Sequence, residues 1–360
     1  MAVTETIPVI DISPYLVDNS SEAARDVIKA VYDAVSTWGF FLLKGTPVTD
    51  AQQTALLKSA KSFFDLPLEE KMALDVATGG VRWRGYMPMG GEFTHGGQDW
   101  KEGLYVGPEH PADHPLTGMP LHGGNRFPDA ALPSMRKDVM EYVDEVTELG
   151  KTLTDVLSCG LGLEKGMLRE KLISPEPIVL FRCFKYAPES ELIEGQPRGF
   201  GIGDHTDFGY LTILKADSPG LQILSPSDTW VNVPVLEDGF VVNVGDMLDR
   251  MTDGRLLSRP HRVQRPSPDS PPRFSFPLFF DFAWDCRMER LPLGHLPPMT
   301  ADQKAQASQR WKETTFREVK GTWSQYLARK VQKVFPDLEL PDFEPNAAPS
   351  TRFRRVVSAV

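Results

Sequence analysis

Two histidines and one aspartate are the residues of this chain whose types and spacing best suit a catalytic metal. His205 and Asp207 lie two positions apart in Gly-Asp-His-Thr-Asp-Phe-Gly, and side chains two apart in an extended segment point to the same face. His261 is the best third ligand, because Pro260 favours extended backbone before it. Two imidazoles and a carboxylate form a facial triad, which leaves positions on a ferrous ion for a 2-oxo acid and dioxygen. Asp204 points to the opposite face and is predicted not to reach the metal.

A pair of anion-binding side chains follows the triad. Arg273 and Ser275 are also two positions apart, in a segment otherwise rich in phenylalanine and leucine. An arginine in such an apolar strand needs a buried anion to offset its desolvation. Its guanidinium can pair with a carboxylate through two hydrogen bonds, and the serine hydroxyl adds a third donor. The two residues therefore predict a site for the far carboxylate of a 2-oxo acid.

The second half of the chain has the pattern of short strands separated by turn residues, which predicts a sandwich or barrel. The predicted strands are 178–186, 209–215, 221–224, 230–233, 240–244, 261–264 and 273–282. Strands are also predicted at 7–12 and 40–43, and helices at about 21–37, 50–64, 68–72, 130–161 and 301–335. Residues 78–125 keep no period and predict an ordered loop region that could close over a site.

The order of these elements predicts one structural unit with three parts. Residues 1–175 would form an N-terminal helical cap, 176–290 the β-rich catalytic core, and 291–360 a C-terminal helix and tail. The tail beyond Pro341 carries a basic cluster at Arg352, Arg354 and Arg355 and is predicted to be loosely ordered or extended.

Composition favours a cytoplasmic globular protein. The 360 residues carry a formal net charge of -10, which argues against nucleic-acid or anionic-membrane partners because both attract basic surfaces. No segment approaches the ~20 apolar residues of a membrane span, and the first residues lack the pattern of a secretory signal. Three widely spaced cysteines suit a reducing compartment and form no zinc pattern.

Beyond these motifs, the sequence resembles the isopenicillin-N-synthase-like branch of the iron(II) and 2-oxoglutarate-dependent dioxygenases. The resemblance runs over nearly the whole chain. It is carried by His205-Thr206-Asp207, by Ser258 with His261-Arg262-Val263, and by Arg273 with Ser275. Further matching segments are 7–11, 38–41, 63–67, 84–86 and 242–246, together with Glu70-Lys71 and Lys101-Glu102.

The resemblance implies a fold, a reaction and a set of ligands. The fold would be β-rich α+β, a double-stranded β-helix (jelly roll) flanked by N-terminal and C-terminal helices. His205, Asp207 and His261 would bind iron(II), and Arg273 and Ser275, helped by Tyr186, would bind 2-oxoglutarate. The enzyme would use dioxygen to hydroxylate a small organic metabolite, with release of succinate and carbon dioxide, and ascorbate would support it in vitro. Desaturation and ring closure are variants of this reaction.

Several assignments stay open at the level of sequence. The substrate pocket is predicted to include Tyr86, Phe184, Leu211 and Phe279, where Phe184 replaces an asparagine that many relatives carry. An iron oxidase of the same fold that does not use 2-oxoglutarate is an alternative, since such relatives also keep Arg-x-Ser. A cupin-like metal-binding protein or a zinc hydrolase is another. Substrate identity and oligomeric state are not given by the sequence.

Three further groups of cations and histidines lie outside the predicted site. The cations Arg84 and Lys101 could bind an acidic substrate or remain solvated. Arg182 could line the cavity or pair with a carboxylate outside it. His110 and His114 are four apart, but Pro111 and Pro115 forbid the helix that would align them, so no second metal site is predicted there.

Overall fold

The computed structural model describes residues 6–94, 97–188, 200–312, 314 and 319–334. The N-terminal region alternates short strands with amphipathic helices. Its elements are β1 (Val9–Asp11), α1 (Ser13–Val17), α2 (Glu22–Thr37), β2 (Phe40–Lys44), α3 (Asp50–Phe64) and α4 (Leu68–Met72). Helix α2 begins after Ser21, whose hydroxyl accepts a hydrogen bond from the Ala24 amide, and α3 begins with a capping box between Thr49 and Gln52. These elements confirm the helices predicted there; α1 was not predicted.

The region predicted as loop contains a 3₁₀ helix and four strands. They are the 3₁₀ helix Val76–Arg82, β3 (Gly85–Met87), β4 (Phe93–Thr94), β5 (Gly97–Gln98) and β6 (Glu102–Val106). The prediction of loop was wrong at β6, whose five residues are all buried. The buried Glu102 interrupts the apolar character of this strand, and its charge is compensated by ion pairs with Lys71 at 2.9 Å and Lys185 at 3.2 Å.

The central part of the chain holds the longest helix and most of the strands. Its elements are α5 (Met135–Gly160), α6 (Met167–Ile173), β7 (Ile178–Tyr186), β8 (Ile202–His205), β9 (Leu211–Ala216), β10 (Leu221–Leu224), β11 (Trp230–Asn232) and β12 (Phe240–Val244). They are followed by α7 (Asp246–Met251), β13 (His261–Val263), β14 (Arg273–Asp281), α8 (Ala301–Arg310) and α9 (Trp323–Val334). Strand β8 and helices α6 and α7 were not predicted.

The single C-terminal helix predicted from 301 to 335 was wrong. The described residues form two helices instead, α8 and α9, and Gly321 just before α9 has a φ of 78°, a left-handed conformation that favours glycine. Residue 335 and the basic tail lie outside the described residues. None of the described helices combines the length and the apolar character that crossing a bilayer requires.

The strands form two main sheets. The larger has eight strands in the order β1-β2-β12-β9-β14-β7-β6-β3, and the smaller has four in the order β11-β10-β13-β8. All neighbours pair antiparallel except β1 and β2, which are parallel. Strands β1, β2, β3 and β6 of the large sheet precede residue 175, so the N-terminal region is part of the sheet and does more than cap it.

Helix α5 covers the outer face of the large sheet. Gly150 makes the close approach possible, because a Cβ at this position would lie 2.5 Å from the Phe280 ring of β14. The inner faces of the two sheets are left to enclose a cavity between them, and this is the architecture that positions the site.

Candidate active site

The cavity between the two sheets encloses about 470 Å³ of empty space including its mouth. The large sheet and the small sheet both contribute to its wall. The residues that line it are Phe40, Phe184, Tyr186, Ile202, His205, Asp207, Thr212, Leu214, Leu221, Asn243, His261, Val263, Arg273, Ser275, Pro277 and Phe279. All six residues predicted to bind iron or 2-oxoglutarate are therefore in one cavity.

The three predicted metal ligands converge at one place in this cavity. His205 ends β8, and His261 begins β13 directly opposite it in the sheet register. Their ring centroids are 4.1 Å apart, and Nε2 of His261 lies 3.8 Å from Oδ1 of Asp207. One ligating atom from each residue lies within 4.8 Å of the other two. Asp204 is exposed and approaches Arg262 at 3.5 Å, away from this point.

Backbone carbonyls orient both imidazoles. Nδ1 of His205 lies 2.8 Å from the Gly203 carbonyl, and Nδ1 of His261 lies 3.4 Å from the Arg259 carbonyl. A carbonyl oxygen only accepts, so each Nδ1 carries the proton and each Nε2 keeps its lone pair. This is the arrangement in which histidine binds a metal through Nε2.

Two residues that were not predicted as site residues hold the aspartate. Oδ2 of Asp207 accepts hydrogen bonds from Thr212 Oγ1 at 2.6 Å and from Asn243 Nδ2 at 2.8 Å. Its other oxygen, Oδ1, faces His261 and is free to bind a metal. The signal in the sequence is that Thr212 and Asn243 are polar residues within the apolar strands β9 and β12.

The charge states of the ligands suit a divalent metal. Burial, aided by repulsion from His261, lowers the pKa of His205 to about 3, so its imidazole is neutral at physiological pH. Burial alone would raise the pKa of Asp207, but the two imidazoles and the hydrogen bonds from Asn243 and Thr212 outweigh it and lower that pKa. Two imidazole nitrogens and one carboxylate oxygen fit a ferrous ion and leave part of its coordination sphere open.

The arginine at the start of β14 is buried, and among the described residues no carboxylate forms a salt bridge with it. Arg273 is 1% exposed, its Nε donates to the Ser218 carbonyl at 3.1 Å, and its Nη1 has no hydrogen-bond partner in the described part of the chain. Ser275 donates to the Tyr186 hydroxyl at 3.3 Å, and the guanidinium carbon lies 5.1 Å from the Tyr186 ring centroid. A buried guanidinium with an unpartnered nitrogen, beside two hydroxyls, fits a carboxylate ligand.

Only two of the four predicted substrate residues reach the cavity. Phe184 and Phe279 are part of its wall, whereas Leu211 and Tyr86 are not. Leu211 was placed on the wrong face, because its neighbours Thr212 and Leu214 point inward and alternate residues of a strand point to opposite faces. The Tyr86 hydroxyl instead donates to Glu102 at 2.7 Å.

The three additional cations are all buried and paired with protein groups. Arg84 donates to carbonyls of Pro108 and Leu121. Lys101 forms ion pairs with Asp99 at 2.7 Å and Glu92 at 2.8 Å, and Arg182 lies 3.9 Å from the Tyr105 ring centroid. The prediction that Arg84 and Lys101 could be solvated was wrong, and none of the three lines the cavity.

The sequence matches two family models over most of its length. Residues 7–130 match the N-terminal region of a family described as non-haem dioxygenase in morphine synthesis, and residues 175–281 match the 2OG-Fe(II) oxygenase superfamily. A protein named probable iron/ascorbate oxidoreductase from Dictyostelium discoideum is 35% identical, over 93% of this chain and 96% of its own length. The 2-oxoglutarate-dependent dioxygenase tropC of Talaromyces stipitatus is 38% identical over 72% and 82%.

Two further comparisons bear on the reaction and the fold. A 1-aminocyclopropane-1-carboxylate oxidase of Dictyostelium discoideum is 30% identical over 92% of this chain and 96% of its own length. The crystal structure of a full-length Neurospora crassa protein in complex with alpha-KG superposes with a TM-score of 0.73, covering 92% of this chain and 97% of that one at 24% identity. At that identity the likeness concerns the fold alone, and it confirms the predicted jelly roll.

Fold and cavity together define a jelly-roll enzyme of the non-haem iron class. More specifically, the chain belongs to the 2OG-Fe(II) oxygenase superfamily. It is an iron(II)- and 2-oxoglutarate-dependent oxidoreductase that acts on a small organic metabolite.

Proposed function

We propose that His205, Asp207 and His261 bind the iron, and that Arg273, Ser275 and Tyr186 bind the distal carboxylate of 2-oxoglutarate. The observation that carries this proposal is the buried guanidinium of Arg273, which has an unpartnered Nη1 in the same cavity as the triad. Arg273 lies at one end of β14. Near the other end, Phe279 pairs with Thr212, the residue that donates a hydrogen bond to Asp207. The cavity thus joins a metal site to an anion site.

Iron(II) with 2-oxoglutarate supplies an oxidant from dioxygen, one of whose oxygen atoms enters succinate and the other the substrate, while carbon dioxide leaves. The protein's own residues contribute positioning. Thr212 and Asn243 fix the carboxylate, the Gly203 and Arg259 carbonyls fix the imidazoles, and Arg273 fixes the co-substrate. Such preorganisation keeps reacting groups aligned through the reaction.

For the substrate, we propose hydroxylation of a small and mainly apolar metabolite. Apart from the metal and carboxylate groups, the cavity wall is formed chiefly by aromatic and aliphatic side chains, among them Phe184, Ile202, Pro277 and Phe279. Such a wall binds apolar surface and keeps water from the reacting centre. An acidic protein with a net charge of -10 is suited to a small-molecule partner and not to nucleic acid or an anionic membrane. Three free cysteines favour the cytoplasm.

One second candidate has specific support. The relative named 1-aminocyclopropane-1-carboxylate oxidase covers almost the whole chain, and oxidases of this fold keep an Arg-x-Ser pair. In such an enzyme the electrons would come from the substrate and the ascorbate, and 2-oxoglutarate would not be consumed.

A coupled assay separates the two candidates. The full chain would be incubated with iron(II), ascorbate, 2-oxoglutarate and a panel of small apolar metabolites, and succinate and oxidised product would be quantified by mass spectrometry. We expect one metabolite to gain one oxygen atom per succinate released, and Asp207→Asn to abolish both signals while the exposed neighbour Asp204→Asn keeps them. Product formed without succinate would instead indicate the oxidase.

A further inference from the structure

A second cluster of metal-ligating side chains lies outside the active-site cavity. His110, His114 and His122 belong to the segment between β6 and α5, and Glu176 lies two residues before β7. The ring centroid of His110 is 4.4 Å from that of His114 and 5.1 Å from that of His122. The prolines at 111 and 115 do prevent a helix here, as expected, but the folded loop brings the imidazoles together without one.

Three of these residues present ligating atoms to one point. One atom each from His110, His122 and Glu176 lies within 4.8 Å of the other two. Nδ1 of His122 lies 2.9 Å from the Pro120 carbonyl, so this nitrogen carries the proton and Nε2 keeps its lone pair. Nδ1 of His110 is buried and has no hydrogen-bond partner among the described residues. The other ring nitrogen of His110, Nε2, lies 3.6 Å from Oε1 of Glu176. A buried ring nitrogen without a partner, in a cluster of this kind, calls for a ligand to bind it.

His114 has a different part in the cluster. Its Nδ1 accepts a hydrogen bond from the Leu116 amide at 3.2 Å, so its Nε2 carries the proton and donates to Glu176 Oε1 at 3.0 Å. A hydrogen bond of this kind fixes the carboxylate of a metal site. His114 therefore positions Glu176, whose side chain is 34% exposed and opens the cluster to solvent.

The electrostatics favour a metal that prefers imidazole. Burial lowers the pKa of His110 to about 4 and that of His122 to about 3, so both rings are neutral at physiological pH. The positive charge of Arg84 acts on both rings and opposes any cation, so a metal here must gain from strong bonds to imidazole nitrogen. Two imidazoles and one carboxylate are ligands that zinc accepts, with water as the fourth.

We propose that His110, His122 and Glu176 form a binding site for zinc or a similar divalent transition metal, positioned by His114. The site is separate from the active site. Glu176 lies two residues before Ile178, the first residue of β7. The last residue of that strand is Tyr186, which lines the cavity. Eight residue-to-residue steps of about 3.3 Å in an extended strand place those ends about 26 Å apart. A metal there would link the segment after β6 to the start of β7.

The test begins with a variant that lacks two of the three triad residues. Metal-stripped His205→Ala/Asp207→Ala protein would be titrated with Zn²⁺ by calorimetry and with Co²⁺ by visible absorption. We expect one equivalent to bind and to raise the melting temperature. Adding Glu176→Gln to this variant should weaken Zn²⁺ binding at least about tenfold. Adding His122→Gln to the same parent should weaken Zn²⁺ binding more than Glu176→Gln does.

Two controls test whether a loss of binding is specific to the cluster. Glu141→Gln, on an exposed position of α5, should leave binding unchanged, and circular dichroism would check the fold of each variant. If His122→Gln does not fold, the partly exposed Glu176→Gln still decides the result. The proposal is overturned if the His205→Ala/Asp207→Ala variant binds no Zn²⁺ or Co²⁺, or if the same variant with Glu176→Gln added binds them as tightly as its parent.

Discussion

Asn243 donates a hydrogen bond of 2.8 Å to Oδ2 of Asp207, which leaves Oδ1 of the same carboxylate facing His261. Asn243 lies in β12, outside both the His-x-Asp and the Arg-x-Ser motif. Its hydrogen bond helps to fix the orientation of the Asp207 carboxylate. Residues that orient metal ligands in this way commonly contribute about 10–100-fold to metal affinity.

We therefore expect Asn243→Ala to weaken iron(II) binding by roughly 10–100-fold. The physical reason is that the carboxylate loses one of its two restraints and can rotate away from the two imidazoles. Anaerobic titration with iron(II) or Mn²⁺ would measure the affinity. Asn232→Ala, on an exposed position of β11, is the matched control and should bind normally; equal affinity in both variants would contradict the role given to Asn243.

Replacement of Arg273 should act on 2-oxoglutarate and spare the metal. A hydrogen bond to a charged group contributes about 1.5–3 kcal/mol, so Arg273→Gln should raise the KM for 2-oxoglutarate by roughly 10–150-fold. Lysine cannot form the paired hydrogen bonds of a guanidinium, so Arg273→Lys should recover only part of this loss. The exposed Arg290→Lys serves as control. An unchanged KM in Arg273→Gln would place the carboxylate elsewhere.

Leu211 should matter for stability and not for substrate. It is 2% exposed and lies on the face of β9 that points away from the cavity. Leu211→Ala should lower the free energy of unfolding by about 2–5 kcal/mol, measured by urea denaturation, with little change in the substrate KM of the folded enzyme. Phe279→Ala, on the cavity wall, should change that KM. The opposite pattern would restore the original placement of Leu211.

Asp281 gives a pH-dependent contribution to stability. Burial, with repulsion from Asp207, raises its pKa from 3.8 to about 7. The folded state therefore binds more protons than the unfolded state between about pH 4 and pH 7, and stability falls as pH rises through that window. Asp281→Asn can keep the hydrogen bond from the Tyr210 amide and should reduce this fall.

Urea unfolding of the metal-free wild type and Asp281→Asn at about pH 5, early in this window, and at about pH 8, above it, would measure the difference. We expect the variant to gain stability relative to the wild type at the higher pH. Asp246, whose pKa burial also raises to about 7, still contributes a slope in both proteins. Identical pH profiles would show that Asp281 does not ionise in this window.

The sequence was sufficient where a local pattern decided the structure. Strands β7 and β14 were predicted from their long apolar runs. The shared direction of His205 and Asp207 was predicted because residues two apart in extended backbone point to the same face. The capping residues of α3 likewise mark its start locally.

Long-range contacts explain what the sequence did not predict. Strand β6 contains Glu102, which is tolerated in the sheet only because Lys71 and Lys185 reach it. Thr212 and Asn243 meet Asp207 only after β9 and β12 pair. Leu211 faces away from the cavity because it lies one residue from Thr212, which faces inward. In a strand, a shift of one residue moves a side chain to the opposite face of the sheet.

The most direct test of the account is succinate release by the metal-stripped enzyme supplied with 2-oxoglutarate and dioxygen. We predict release that is restored by iron(II) with ascorbate but not by Zn²⁺, and that is lost in both His205→Ala and Asp207→Ala while Asp204→Ala retains it. Succinate release at the wild-type rate from His205→Ala and Asp207→Ala would contradict the assignment of the iron site.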